Sequence, residues 1–363
     1  MSCQALKDGR NSQPLNSPRT LKKPLIGQSE ADLETICDSF KEPLFRTKQL
    51  FSWLYKSKVN SFREMRNFPI ELRNKFEKEF CIHPLEFVHV TGSTAESTRK
   101  FLFRLQTSEL VESVLIKEGN RTTICVSSQV GCAADCQFCA TASMGFQKNL
   151  NAGEIVDQFL QVGSSAQTPI SNVVFMGMGE PFLNYKNVIA AANLLNNKNG
   201  IKLGARRITI STVGIIPKII RFSDEKHRYK LAVSLNGSSQ KIRFKTMPIA
   251  EKYPLTELLT ATDYYTTKSG QPVTFEYVLM DKITDGIDNA RKLINMLNGR
   301  RCKLNVIPYN EIGGKYKRPS ENGIKSFLEA LQNTRFPVMT RWSKGTDIHA
   351  GCGQLAVLEK PAK

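Results

Sequence analysis

CVSSQVGCAADCQFCATASMGFQKNL, residues 125–150, decides how this chain of 363 residues folds. It leaves a β-rich run over Thr123–Ser127, which carries Cys125, and passes directly into Cys132, Cys136 and Cys139. Three thiols spaced C-x3-C-x2-C on one tight loop suit three irons of a cubane cluster and leave the fourth iron without a protein ligand. The alternative is a structural zinc site. Zinc in a closed site takes four ligands, usually with paired C-x2-C knuckles, and no second knuckle or nearby His completes one here.

Downstream of this loop, short β-rich runs alternate with helical stretches. The strand candidates are Thr123–Ser127, Asn172–Met176, Arg207–Ser211, Lys230–Leu235, Val273–Leu279, Lys303–Pro308 and Val338–Arg341. Helical segments lie between most of them, at about 152–162, 185–196, 215–223, 255–267, 286–298 and 320–332. A repeated βα order predicts a parallel sheet with helices outside. Six or so units without a dinucleotide-binding glycine fingerprint predict an α/β fold with a partial (β/α)6 barrel. Chemistry in such a barrel sits at the C-terminal ends of the strands, where the cysteine loop falls. Several other polar groups occupy such ends: Gly179 and Glu180, Ser211, Ser234 with Leu235 and Asn236, and Asn310.

Upstream the pattern is different. Residues 1–29 are polar and proline-containing and read as a flexible basic tail. Residues 30–84 read as a small helical accessory domain, with helices over Lys48–Tyr55 and Ile70–Phe80. Arg46, Lys48, Lys56, Lys58, Arg63, Arg66, Arg73, Lys75 and Lys78 interleave with its apolar residues. They are either solvated helix faces or a grip on RNA. Residues 85–117 form a strand-rich connector, and 118–357 the barrel.

Lys and Arg number 51 against 33 Asp and Glu, a formal net charge of +18. That surplus favours a polyanionic partner, although membranes and plain solvation compete with nucleic acid for the explanation. No secretory signal and no membrane-spanning apolar run is visible, so a cytoplasmic location is expected. In a reducing compartment a cysteine cluster reads as a metal or catalytic site. Of nine cysteines, Cys37, Cys81 and Cys302 have no motif around them and read as packing residues, and Cys3 as idle.

With those motifs in place, the chain resembles the radical S-adenosylmethionine (SAM) superfamily. Within it, the likeness is to the RlmN-type adenine-C2 methyltransferases of 23S rRNA and tRNA. The resemblance rests on residues 125–150 and on VVFMGMGEPFLN (173–184), RRITISTVGIIP (206–217), LAVSLN (231–236), VIPYN (306–310) and GTDIHAGCGQL (345–355). It implies a 4Fe-4S cluster held by Cys132, Cys136 and Cys139, with SAM chelating the open iron and two SAM consumed per methylation. It implies SAM contacts at Gly179, Glu180, Ser211, Ser234, Leu235, Asn236 and Asn310, with Phe138 against the adenine of SAM. Family members often carry His where this chain has Asn236.

The same resemblance implies three catalytic residues. Cys352 takes a methyl group and becomes bonded through it to the adenine. Cys125 resolves that adduct and leaves a Cys125–Cys352 disulfide to be reduced. Glu112 accepts a proton. Taken singly, Cys125 is an ordinary core thiol and Glu112 an exposed strand carboxylate. The implied partners are 23S rRNA, tRNA and an electron donor such as flavodoxin, with the protein a monomer. The nearest rival is the sister type, Cfr, which modifies carbon 8. Pro181 after Glu180 resembles the carbon-2 group. A zinc-stabilised RNA-binding protein without catalysis is the rival from another class.

Overall fold

The computed structural model describes residues 22–92 and 97–357. Cys3 and most of the 1–29 segment lie outside the described residues. The N-terminal unit comprises β1 (Lys23–Pro24), α1 (Glu30–Ser39), α2 (Phe45–Ser52), α3 (Ile70–Glu79) and β2 (Phe80–Cys81). Ser29 and Asp32 close a reciprocal capping box at the start of α1, which satisfies two backbone donors that the helix cannot. Past its end, α2 continues as one wider turn over Trp53–Ser57 and stops at Lys58 in the left-handed region. Leu50, Leu54 and Phe76 are fully buried. Phe76 meets Phe40, Phe62, Phe68 and Phe80 largely edge to face.

β3 (Leu85–Thr91), β4 (Thr98–Leu105) and β5 (Leu110–Glu118) follow as antiparallel neighbours, and β5 pairs antiparallel with β6 (Arg121–Val126). The connector strands therefore extend the barrel's own sheet. After β6, the short strands β7 (Gln129–Gly131) and β8 (Phe146–Asn149) form a separate hairpin, with α4 (Ala140–Ser143) between them. The remaining order is α5 (Ala152–Ser164), β9 (Asn172–Phe175), α6 (Tyr185–Asn196), β10 (Ile208–Thr212), α7 (Ile216–Asp224), β11 (Lys230–Ser234), α8 (Gln240–Thr246), α9 (Leu255–Ser269), β12 (Val273–Leu279), α10 (Ile287–Leu297), β13 (Cys302–Pro308), α11 (Glu321–Ala330) and β14 (Val338–Thr340). The ten-stranded sheet runs β14-β13-β12-β11-β10-β9-β6-β5-β4-β3. It is parallel from β6 to β14, and α5, α6, α7, α9, α10 and α11 form the crossovers between its successive strands. This is the expected partial α/β barrel.

Strand side chains alternate between two faces. One set, including Val173, Ile210, Leu231, Phe275 and Leu304, is fully buried. The other set reads Asn172, Thr209, Ser211, Lys230, Ser234, Glu276, Lys303 and Asn305 along paired registers. Strands of a parallel sheet covered on both sides are apolar throughout. The polar set therefore marks the concave face as a working surface.

The loop that carries the three cysteines is fixed at its start by Gly131. Its φ is +69°, and an added Cβ would lie 1.7 Å from the Gly145 carbonyl oxygen. Left-handed backbone costs an L-residue roughly 1–2 kcal/mol before any clash. Gly131→Ala is therefore expected to lower the melting temperature and to reduce the iron bound per chain, both read on protein purified without oxygen.

Candidate active site

The C-terminal ends of the parallel strands surround a cleft. Cys132, Cys136, Cys139 and Phe138 enter it from the loop after β7, Gly179 and Glu180 from the segment after β9, and Ser211 from β10. Ser234 and Asn236 come from β11 and its end, Asn310 from the turn after β13, and Cys352 from the segment after β14. Leu235 does not line the cleft. It is fully buried, and its amide donates to the Glu276 carbonyl at 2.9 Å.

Glu180 is buried and bonded on both oxygens. Oε1 accepts from Thr212 Oγ1 at 2.6 Å and from the Phe182 amide at 2.9 Å, and Oε2 accepts from the Val213 amide at 2.8 Å. Burial pushes its carboxyl up to about 7, although those donors pull the other way. Gly177 and Gly179 are glycines for a packing reason. An added Cβ at Gly177 would lie 2.6 Å from Ser127 Oγ, and at Gly179 2.4 Å from Gln129 Cβ. The glycines let the segment after β9 pack against residues 127–129, and Gln129 Oε1 accepts from the Glu180 amide at 2.8 Å.

Asn236 stands at φ +44°, a region that Asn tolerates better than most residues. Its Oδ1 accepts from the Val278 amide at 3.0 Å. Asn310 is bound on one side only. Its Nδ2 donates to Ser343 Oγ at 2.7 Å and to the Cys352 carbonyl at 2.9 Å. Its Oδ1 is buried with no hydrogen-bond partner, and a polar atom in that state wants a donor from a ligand or water.

Cys352 is held by its backbone and its neighbours. Besides Asn310, the Ala140 amide donates to the Gly353 carbonyl at 2.7 Å, and Thr141 Oγ1 to the Leu355 carbonyl at 2.5 Å. Burial pushes the Cys352 thiol up to about 11, with Arg341 pulling it down and Glu276 and Cys139 adding to the rise. Cys125 on β6 is raised to about 12, first by burial and next by Cys352. Cys125 therefore feels the charge of Cys352, and both thiols are free. Arg341, whose Nη1 lies 3.9 Å from Glu276 Oε1, acts on both. Sequence reasoning missed this pair. A lone inward Glu276 in the apolar run VTFEYVL was the available signal.

Glu112 is buried rather than exposed, and it does not line the cleft. Its Oε1 lies 2.9 Å from Lys100 Nζ, which reaches the His349 carbonyl at 3.5 Å. Lys100 thus links Glu112 to the segment that carries Cys352.

Among the described residues no group of three or more His, Cys, Asp or Glu is drawn together around a single point. The three thiols do line one cleft. Burial raises Cys132 to about 12 and Cys136 well above its ordinary value, a cost that ligation of a deprotonated thiol removes. With the orphaned Asn310 Oδ1 beside them, these residues fit a cluster plus a polar ligand.

In protein free of SAM, the Cys352 thiol is expected to alkylate slowly at pH 7. The rate should rise about tenfold per pH unit toward pH 11, following the thiolate fraction. Peptide mass mapping after iodoacetamide treatment reads this, and a rate flat above pH 8 would contradict it.

Residues 126–294 match the Radical SAM superfamily, and residues 24–82 match the ribosomal RNA large subunit methyltransferase N-terminal domain. The chain is 44% identical over 323 residues to "Probable dual-specificity RNA methyltransferase RlmN 2" of Protochlamydia amoebophila, covering 88% of this chain and 90% of the relative. It is 40% identical over 312 residues to the dual-specificity RNA methyltransferase RlmN of Geotalea uraniireducens, covering 86% and 90%. The crystal structure of a radical SAM methyltransferase from Sphaerobacter thermophilus superposes with a TM-score of 0.89 at 38% identity, over 92% of this chain and 98% of that one.

Proposed function

Because the chain belongs to the RlmN-type radical SAM RNA methyltransferases, we propose that it methylates carbon 2 of an adenine in 23S rRNA at the peptidyl-transferase centre and in tRNA beside the anticodon. What supports the reading is one convergence: Cys132, Cys136, Cys139 and Cys352 line a single cleft, with Cys125 electrostatically coupled to Cys352. Carbon 2 is electron-poor, whereas an ordinary SAM methyl group is an electrophile, so direct transfer is mismatched. A 4Fe-4S cluster with SAM at its open iron supplies radical chemistry on reduction, and the three-cysteine loop is the set of residues to hold it.

The other residues then have separable tasks. Asn310 Oδ1, together with Ser211, Ser234 and Asn236, offers polar atoms to SAM. Glu180 braces the turn after β9 and gives a carboxylate that an ammonium group in the cleft would hold ionised. Cys352 carries the methyl group. Cys125 frees the product, and Glu112, through its link to Lys100, accepts the proton removed from carbon 2. A single-electron protein donor of the flavodoxin type reduces the enzyme. The target base leaves its stack to reach the cleft. Among the described residues no helix is long and apolar enough to cross a membrane.

The decisive experiment supplies reconstituted enzyme with SAM, reductant and either an rRNA fragment or tRNA, then digests the RNA to nucleosides. 2-Methyladenosine from both is expected. 8-Methyladenosine would replace this reading with the carbon-8 activity, and unmodified adenosine in both would remove it.

A further inference from the structure

Behind the cysteine loop lies a buried cation that no carboxylate balances. Arg243, on α8, is fully buried. Its hydrogen bonds go to neutral acceptors: Nη1 donates to the Tyr253 carbonyl at 3.2 Å and Nη2 to the Val213 carbonyl. Nε is buried with no hydrogen-bond partner. Among the described residues no carboxylate forms an ion pair with it. A guanidinium in that state is costly, because carbonyl dipoles do not replace the anion that a buried charge calls for.

Two bonds set Arg243 against the cysteine loop. The amide of Gln137, next to Cys136, donates to the Thr246 carbonyl at 2.9 Å, at the end of the same helix. Val213, which takes the Nη2 bond, lines the cleft together with Cys132 and Cys136. Close packing keeps the arginine there. A Cβ added at Gly237 would lie 2.5 Å from the Arg243 amide nitrogen, and one at Gly214 3.2 Å from its Nη2. The electrostatics agree with this placement. Burial lowers the Arg243 pKa to about 10, and Cys136 is the group that opposes the fall. Arg243 in turn opposes the rise at Cys136. It therefore remains a cation at neutral pH. Arg243 does not itself line the cleft, so its charge reaches the site from behind the loop and its fork is not offered to a ligand.

We propose that Arg243 is the buried counter-charge to the iron–sulfur cluster, acting through Cys136 to raise its reduction potential. The proposal rests on the radical SAM reading above, with the three-cysteine loop as the seat of the cluster. Three thiolates on a dicationic core leave one net negative charge, and the single electron that reduces the cluster adds a second. A fixed cation beside Cys136 favours the reduced state over the oxidised one, so the electron enters more readily from a single-electron protein donor. Burial is what makes the effect large. At an effective dielectric of about 20, a unit charge roughly 10 Å away changes a one-electron equilibrium by more than tenfold. Lys241 and Lys245 on the same helix are exposed, and solvent and salt screen them.

The test is an EPR-monitored redox titration of the full chain, reconstituted without oxygen and kept free of SAM so that no electron is spent on its cleavage. Arg243→Gln keeps an amide to donate to a carbonyl but loses the charge. Its equilibrium constant for electron uptake is expected to fall about tenfold or more, which lowers the midpoint by about 59 mV per tenfold. The charge-conserving Arg243→Lys should keep the wild-type midpoint, and so should Lys241→Gln. An unchanged midpoint in Arg243→Gln, or an equal fall in Arg243→Lys or Lys241→Gln, overturns the proposal. Should Arg243→Gln hold no iron, the melting temperature of the iron-free chain decides. A wild-type value, with iron retained by Arg243→Lys, supports the counter-charge. A lowered value, or iron lost from Arg243→Lys as well, assigns the arginine to packing and overturns it. Absence of any reduced-cluster signal from the wild-type protein would instead strike the radical SAM reading.

Discussion

Replacing Cys352 with alanine is expected to lower RNA methylation by on the order of 10⁴-fold or more, the scale seen when a covalent group is removed, while iron per chain stays at the wild-type level. The reason lies in how the residue is held. Its segment is fixed by Asn310 on the Cys352 carbonyl, by Ala140 on the Gly353 carbonyl and by Gln354 on the Gly351 amide. None of these bonds uses the sulfur, so the backbone path survives the substitution. Cys352→Ser should be equally inactive, because a hydroxyl at that place keeps the shape but is a poor acceptor for a methyl group. Methylation by either variant at the wild-type rate would end the methyl-carrier role. Loss of iron from both would mean that Cys352 supports the cluster loop instead.

The parts of this molecule legible in the sequence were those written in periodicity. All seven expected strands of the parallel region form, each within about two residues of its expected bounds, and so do the six helices between them. An apolar run between turn residues needs no distant partner to be recognised. The residues around the cleft were only half legible. The three-cysteine spacing identifies itself, and Cys352 stands out between two glycines. The purpose of Gly177 and Gly179, by contrast, depends on residues 127–129 lying against them, a contact across some 50 positions that no local pattern carries. Arg341 and Glu276 lie 65 residues apart in sequence, and only the barrel brings them together. Glu112 read as exposed because alternation in β5 does not tell which face is covered, and residues 343–355 cover that one. Leu235 was drawn into the site by sitting at a strand end, yet its side chain turns into the core.

Replacing Cys125 with alanine is expected to give a different failure, an enzyme caught on its RNA. Cys125 sits mid-strand, paired with Val114 on one side and Val174 on the other, and alanine keeps that ladder at a cost of about 1 kcal/mol. The protein should fold, bind iron and load Cys352 with a methyl group. After carbon 2 is bonded to that carbon, release needs a thiolate to attack the Cys352 sulfur. The sulfur–carbon bond breaks, its electron pair passes to the methylene–adenine fragment, which takes up a proton from solvent to become the methyl group, and the two sulfurs are left joined as a disulfide. Cys125 is the free thiol whose charge state responds to Cys352, and Arg341, lowering both pKa values, favours the thiolate that the step requires. Without Cys125 the adduct has no such partner. Denaturing gels should show protein shifted by the mass of the RNA, and nuclease digestion should leave one methyladenosine-derived mass on the peptide that contains Cys352. Multiple turnovers with no shifted band would show that another group releases the product and would take Cys125 out of the reaction.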